Sequence, residues 1–290
     1  MAVSIKEAKL LEGKVIAERI QGEIRQMIEQ FLSDHRERPR LRAIQVGDDA
    51  SADWYLRSQE KLAVKLGIDY EKIPANRIPN PKALLEEIDR ANESPAHGVF
   101  MTMPLPPGFD PDEALLRLNP KKDVEGIHPT NLGLIVLRHG KLIPPTAYAA
   151  FALIESTGIE LRGRKAVLIG QSAIVGRPLQ LLLGEKRVMT VVCNTGTPVD
   201  EIRKAIAGSD IVIACAGTPR MIKGDWIREG QIVIDVGTSE VEGQMVGDVE
   251  FEEASKRASF ITPVPGGVGP LTVTMLMKNL MHAYQWQKGI

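Results

Sequence analysis

The sequence predicts an α/β protein of two lobes, and three observations carry that prediction. Short apolar runs rich in Val and Ile alternate with segments of helical periodicity along most of the chain. A Pro144–Pro145 break followed by a helical stretch divides this alternation near residues 140–160. In the second half, a glycine turn at Gly170 closes a strand and leads into a helix near Val175. That is the context in which helix N-terminal amides hold a dinucleotide pyrophosphate.

The elements follow in order. Residues 13–34 read as a helix, because Ile16, Ile20, Ile24, Met27, Ile28 and Phe31 recur at spacings of three and four. Residues 41–47 (LRAIQVG) form a buried strand ending at a glycine, and residues 50–66 a helix packing through Tyr55, Leu62, Ala63 and Leu66. Pro81 opens a helix over 81–93, and residues 97–107 are a strand running out into a proline-rich loop. Beyond the break, 165–170, 189–194, 210–217, 231–237 and 259–267 read as strands, with helices at 176–184 and 199–207 between them. Their continuous apolar character suits parallel strands covered on both faces. A last helix, 271–287, opens after Pro270.

Composition excludes several function classes. The chain of 290 residues balances 36 Lys and Arg against 37 Asp and Glu, so its net charge of −1 gives no field for nucleic acid or an anionic membrane. The basic run at 36–42 (RERPRLR) reads as a solvated helix end and loop. Cys193 and Cys215 lie in apolar, strand-like runs, as buried free thiols of a reducing compartment do. The N-terminus carries charges throughout, and no stretch reaches the roughly 20 apolar residues a membrane span needs, so a cytoplasmic protein is expected. There is no metal-ligand cluster and no Ser-His-Asp arrangement. His128 and the other histidines read as structural, and Asp123 as a stabiliser of its loop.

Two local patterns suggest chemistry. In WYLRSQEKL (54–62), Tyr55 and Gln59 share a helix face. The amide can donate and accept hydrogen bonds but cannot exchange a proton near neutral pH, and the pair could equally be the polar side of an ordinary helix. The turn after the 165–170 strand reads Gly170, Ser172, Gly176, Pro178 rather than GxGxxG. Taken alone, it leaves open an α/β turn with no ligand. The second strand ends at Asn194, Thr195 and Gly196, with neither the acidic residue usual for NAD nor the basic one usual for NADP. Arg177 is the nearest basic residue.

A longer string carries a family resemblance. TPVPGGVGPLTV (262–273) closely resembles the signature of the methylenetetrahydrofolate dehydrogenase/methenyltetrahydrofolate cyclohydrolase family of bifunctional enzymes. VGDD with a following tyrosine (46–55), PLP (104–106), NPKKDVEGIHPTNLG (119–133), GQSAIVGRP (170–178), VIDVG (233–237) and VGDVEF (246–251) stand in that family's order. The resemblance implies a folate-type catalytic lobe over 1–147, completed by the C-terminal helix 271–290, and a Rossmann-like lobe over 148–270. It implies a tetrahydrofolate derivative as substrate, NADP or NAD as cofactor, and a homodimer.

The same resemblance names the site. Catalytic positions are Tyr55, Gln59, Thr102 and Glu125; Met101, Met103, Pro265, Gly266, Gly267 and Gly269 complete the substrate contacts. Cofactor positions are Gly170, Gln171, Ser172, Ile174, Val175, Gly176, Arg177, Pro178, Thr195, Gly217, Gly237 and Thr238. No metal is implied. Several of these positions depart from the pattern. Typical members place at Gln59 a lysine that is the acid–base residue of hydrolysis. Lys61 lies about 200° around the helix from that face and is no substitute. Thr102 stands for a glutamine that tunes the lysine, and Glu125 for the aspartate that grips the pterin. Further changes are Ala52 for a serine, Pro145 for a cysteine, and Gln171, Asn194, Thr195 and Gly196 around the cofactor. The expectation is a dehydrogenase with weak or absent cyclohydrolase activity. The alternatives are a divergent paralogue acting on another small N-heterocycle or one-carbon adduct, and a non-catalytic binding protein.

Overall fold

The computed structural model describes residues 8–47 and 50–290. Residues 1–7, Asp48 and Asp49 of the VGDD motif, and the side chains of Ala50, Ser51, Ala52 and Trp54 lie outside what it describes. In chain order the elements are β1 (Lys9–Leu10), α1 (Gly13–His35), β2 (Arg40–Ile44), α2 (Ala50–Leu66), β3 (Asp69–Ile73), α3 (Pro81–Glu93), β4 (Gly98–Met101), α4 (Pro111–Arg117), α5 (Pro129–Val136) and α6 (Pro145–Ser156). They continue with β5 (Lys165–Ile169), α7 (Gly176–Glu185), β6 (Met189–Cys193), α8 (Val199–Ala207), β7 (Ile211–Ala214), β8 (Ile232–Asp235), β9 (Ser239–Val241), β10 (Gln244–Val246), α9 (Phe251–Ala254), β11 (Phe260–Ile261) and α10 (Val268–Lys288). Two compact units result: Arg19–Pro145 with Val273–Ile290, and Thr146–Thr272 with the described residues through Glu18. Among the described residues, no helix is long and apolar enough to cross a membrane.

The Thr146–Thr272 unit is built on a six-stranded sheet in the order β1-β11-β8-β7-β5-β6. Every pairing in it is parallel. Helical connections let parallel strands lie side by side and cover them, which is why β7 and β8 are buried along their whole length. Val167, Val212, Val233 and Ile261 from the strands meet Ile202 and Ile206 from α8 in one core cluster. The predicted strand at 259–267 stops at Ile261, because Gly267 N–H donates to the Pro263 carbonyl and turns the chain. α10 then begins at Val268, before Pro270; a proline in the first turn costs no intrahelical hydrogen bond. The β9–β10 hairpin was not foreseen. Its turn residues Glu242 and Gly243 both have positive φ, as a type I′ turn requires.

The Arg19–Pro145 unit holds a three-stranded parallel sheet in the order β3-β2-β4. The apolar stripe of α1 is buried as its spacing predicts, through Ile20, Ile24, Ile28 and Phe31. Asn80 caps α3 by accepting from Ala83 N–H at 3.0 Å. β3, α4 and α5 are additions to the sequence reading. β3 reads DYEKI and buries Ile73 alone, so it carries no alternating signal. The basic run at 36–42 is corrected in part: Arg40 and Arg42 belong to β2, where they alternate with the buried Leu41 and Ala43. Arg42 pairs with Glu71 at 2.8 Å and with the buried Glu87 at 3.4 Å. Cys193 is buried as expected, whereas Cys215 lies just past β7 and is half-buried.

Asn279 of α10 ties down the segment that presents Glu125. Its Nδ2 donates to the carbonyls of Val124 at 2.8 Å and Ile143 at 2.7 Å. Gly98 lets β4 approach the same segment, since a Cβ there would lie 2.5 Å from Val124 Cγ1 and 2.6 Å from Leu280 Cδ1. Asn279→Ala removes the donor from one buried and one half-buried carbonyl and is predicted to cost about 2–4 kcal/mol. A urea titration checks this: the midpoint should fall clearly, and an unchanged midpoint would refute the tether.

Candidate functional site

In the Arg19–Pro145 unit, three side chains gather around one place. α2 presents Tyr55 and Gln59 from successive turns. Gln59 is fully buried, and neither its Oε1 nor its Nε2 makes a hydrogen bond. Tyr55 lies near enough for that amide to favour its ionised form, but no bond of ordinary length and angle joins the two. Burial pushes the Tyr55 phenol far up; the Glu125 charge adds to that and the Gln59 amide opposes it. Glu125 itself is raised to about 7, first by burial and then by the charge of Asp123. Among the described residues, no hydrogen bond and no basic group lowers it.

The turn that carries Glu125 is rigid. Asp123 Oδ2 accepts from His128 N–H at 2.7 Å and from Asn131 Nδ2 at 2.8 Å. Gly126 adopts φ +64°, and a Cβ there would press on the Leu142 and Ile143 main chain. Asp123 and His128 are thus structural in this turn; His128 also caps α5 by accepting from Thr130 N–H.

Thr102 is placed differently. Its hydroxyl accepts from Val46 N–H at 2.9 Å and donates to the Val46 carbonyl at 3.3 Å. It therefore fixes the loop after β2 and has little left to offer Gln59. Met101 packs into the core with Ile44 and Leu84, whereas Met103 is exposed.

In the Thr146–Thr272 unit, the carboxyl ends of the strands converge. β5 lies between β6 and β7, so the chain reverses direction across the sheet there, and ligands of such sheets bind at that point. Gly170 has φ +120°, and a Cβ on it would strike the Cys215 carbonyl. A Cβ on Gly176 would strike the Gly170 carbonyl. These contacts bring the turn and the start of α7 close, with Ser172 Oγ accepting from Val175 N–H at 3.2 Å. Gln171, Ser172, Ile174 and Arg177 are exposed on this turn, while Val175 and Pro178 are buried under it.

Sequence reasoning passed over Asp235 and Asp248, which order the neighbouring loops. Asp248 Oδ2 accepts from Ala216 at 2.7 Å and Gly217 at 2.9 Å. Asp235 accepts from Gly237, Asp248 and Val249. A Cβ on Gly237 would overlap the Asp248 carboxylate, so the approach requires glycine. Thr238 follows it at the surface. The aspartate within each of the largely apolar strings VIDVG and VGDVEF was the signal available.

After β6, Asn194 Oδ1 accepts from Gly196 N–H and Thr197 Oγ1 from Asn194 N–H, with Thr195 exposed between them. The turn is uncharged. Gly266, at φ +118°, accepts from Gly13 N–H at 3.0 Å, which locks the Pro265–Gly269 turn against the start of α1. Among the described residues no group of His, Cys, Asp and Glu could hold a metal. The glycine cradle and the α7 N-terminus fit a dinucleotide.

Residues 144–288 match the family described as tetrahydrofolate dehydrogenase/cyclohydrolase, NAD(P)-binding domain, and residues 11–125 match its catalytic domain. The chain is 39% identical to Bifunctional protein FolD 2 of Geobacter sulfurreducens over 95% of this chain and 96% of that one. It is 36% identical to Bifunctional protein FolD of Methanosarcina mazei, again over 95% and 96%. The crystal structure of the Trypanosoma brucei methylenetetrahydrofolate dehydrogenase-cyclohydrolase, complexed with NADP cofactor and inhibitor, superposes with a TM-score of 0.91 at 35% identity. That match covers 98% of this chain and 100% of the other.

The raised Glu125 has a consequence for stability. Its carboxyl holds its proton longer in the folded state than in the unfolded one, so stability from this group falls as pH rises from about 4.5 through about 7. Glu125→Gln is predicted to raise Tm by a few degrees at pH 8, roughly 1–2 kcal/mol, with the gain vanishing below pH ~4.5. Scanning calorimetry at both pH values checks it. An equal offset at each would contradict the assignment.

Proposed function

The chain belongs to the tetrahydrofolate dehydrogenase/cyclohydrolase family, and we propose that it is an NAD(P)-dependent methylenetetrahydrofolate dehydrogenase whose hydrolysis of the methenyl product is weak or absent. The observation that carries this reading is Gln59, a buried neutral amide at the position where the family places a lysine. The residues 1–147 and 271–290 would serve the folate, and 148–270 the cofactor. As in typical members, a homodimer is the expected assembly.

The two reactions ask different things of the site. In the first, a C–H bond of the bridging methylene breaks and the hydrogen leaves with both electrons. The lone pair of the adjacent ring nitrogen fills the gap as a C=N bond, and no proton moves. The nicotinamide, when bound, supplies the hydride acceptor. What the protein must supply is position, and the glycine turns, the Tyr55 face and the Glu125 turn are rigid enough for that. Glu125 would take the aminopyrimidine edge one methylene further out than aspartate does. In the second reaction, water adds to the cationic carbon, a C–N bond opens, and protons must be delivered and removed. Gln59 can do neither. Positioned acid–base catalysis contributes typically about 10²–10⁴-fold, so hydrolysis carries the loss.

A second reading has its own observation. Glu125, raised to about 7, is a titratable group in the same cluster and could carry the proton that a lysine carries elsewhere. In that case both activities persist.

Initial rates separate the readings. Reduced nicotinamide formation from methylenetetrahydrofolate should be readily measured, with methenyltetrahydrofolate accumulating. Gln59→Lys, alone or with Thr102→Gln, should raise hydrolysis by on the order of 10²-fold while hydride transfer changes much less. Fast hydrolysis by the unmodified enzyme, abolished by Glu125→Gln, would establish the second reading instead. No folate binding at all would favour another N-heterocycle.

A further inference from the structure

Resting on the dehydrogenase reading, we propose that the turn after β6, residues 194–197, makes the cofactor site selective for NAD over NADP.

The turn stands where the two nucleotides differ. In parallel sheets of this kind the pyrophosphate lies at the turn after the first strand, and the adenosine ribose meets the end of the strand beside it. Here those strands are β5 and β6. Ile169 is in register with Cys193, and Gly170 N–H donates to the Cys193 carbonyl at 3.0 Å. Asn194 therefore leaves β6 level with the Gly170 turn. NADP differs from NAD by a phosphate on the ribose 2′-oxygen, so the turn meets either a neutral hydroxyl or a strongly negative group.

The turn has spent its donors on itself. Asn194 N–H donates to Thr197 Oγ1 at 3.0 Å, Gly196 N–H to Asn194 Oδ1 at 3.0 Å, and Thr197 N–H to the Asn194 carbonyl at 2.9 Å. What it keeps is neutral: the exposed Thr195 hydroxyl and the second lone pair of Asn194 Oδ1. A ribose hydroxyl can donate to that lone pair and accept from Thr195. An ionised phosphate only accepts, so the Asn194 oxygen repels it.

The flanking charges favour the same choice. α8 carries Asp200 and Glu201 in its first turn, directly after the 194–197 segment. Lys204 is paired with Glu201 at 2.7 Å, and Arg203 lies a full helical turn beyond Val199. Lys186, at the far end of α7, pairs with Glu155 at 2.7 Å. Arg177 belongs to the first turn of α7, the pyrophosphate end, where positive charge serves both nucleotides alike. Packing does not exclude a cation from the turn: a Cβ on Gly196 would meet Asn194 Oδ1 at 3.4 Å and no second atom within 4 Å.

Titration calorimetry with NAD⁺ and with NADP⁺, in the absence of folate, tests the proposal. The unmodified protein should bind NAD⁺ roughly 10- to 100-fold more tightly. Gly196→Arg should tighten NADP⁺ binding by about 10-fold or more and leave NAD⁺ within about threefold. Thr195→Lys should do the same from the neighbouring exposed position, and retained NAD⁺ binding shows that each variant folds. Equal affinities or tighter NADP⁺ binding in the unmodified protein would overturn the proposal and leave the dehydrogenase reading standing. Two folded variants that gain nothing for NADP⁺ would do so as well. Binding of neither nucleotide by the unmodified protein would remove that reading and the proposal with it.

Discussion

A polar group buried without a partner is the constraint on which this site depends. Gln59 is fully enclosed on α2, and its amide makes no hydrogen bond in either direction. An unmet donor or acceptor costs about 1–3 kcal/mol each. Glu125 adds a carboxyl whose pKa has been driven to about 7 by the same enclosure. Such groups are uncommon in folded proteins, and each calls for a physical reason. A ligand that brings a donor, an acceptor or positive charge regains that energy on binding, and a ligand that brings none does not. Selectivity at this site is thus a property of what the protein leaves unfinished.

The surrounding structure is what makes the unfinished part specific. The Glu125 turn is held by Asp123 from within, through His128 and Asn131, and by Asn279 of α10. Thr102 holds the loop after β2 through both directions of its hydroxyl. In the other unit, Asp235 and Asp248 hold the loops after β7 and β8 through main-chain N–H groups. Asn131 Oδ1 and Asp248 Oδ1 remain without partners even so. Gln59 differs from these in that both atoms of its amide lack partners.

Much of this was legible in the amino-acid order. The stripe of α1, the Val- and Ile-rich runs of β5, β7 and β8, and the glycine turn at Gly170 each follow from period and propensity, because one face or both is buried. β3 was not legible, since its charged edge sequence buries only Ile73. The short α4 and α5 were signalled by Asp110-Pro111 and His128-Pro129, whose capping is plain once seen. Family resemblance marked Gln59, Thr102 and Glu125 as departures, but it could not distinguish them. The structure does: Thr102 is bonded to the main chain, whereas Gln59 and Glu125 are not. Hydrogen-bond satisfaction depends on neighbours distant in sequence, and no spacing rule encodes it.

The central claim is that the Gln59 amide finds its partner in the ligand. The side-chain amide resonances of Gln59, assigned by their loss in Gln59→Leu, report on it directly in uniformly nitrogen-labelled protein. Addition of a reduced folate should shift them strongly and slow their exchange with solvent, while a nicotinamide nucleotide alone leaves them nearly in place. Resonances that stay unmoved at saturating folate would contradict the account.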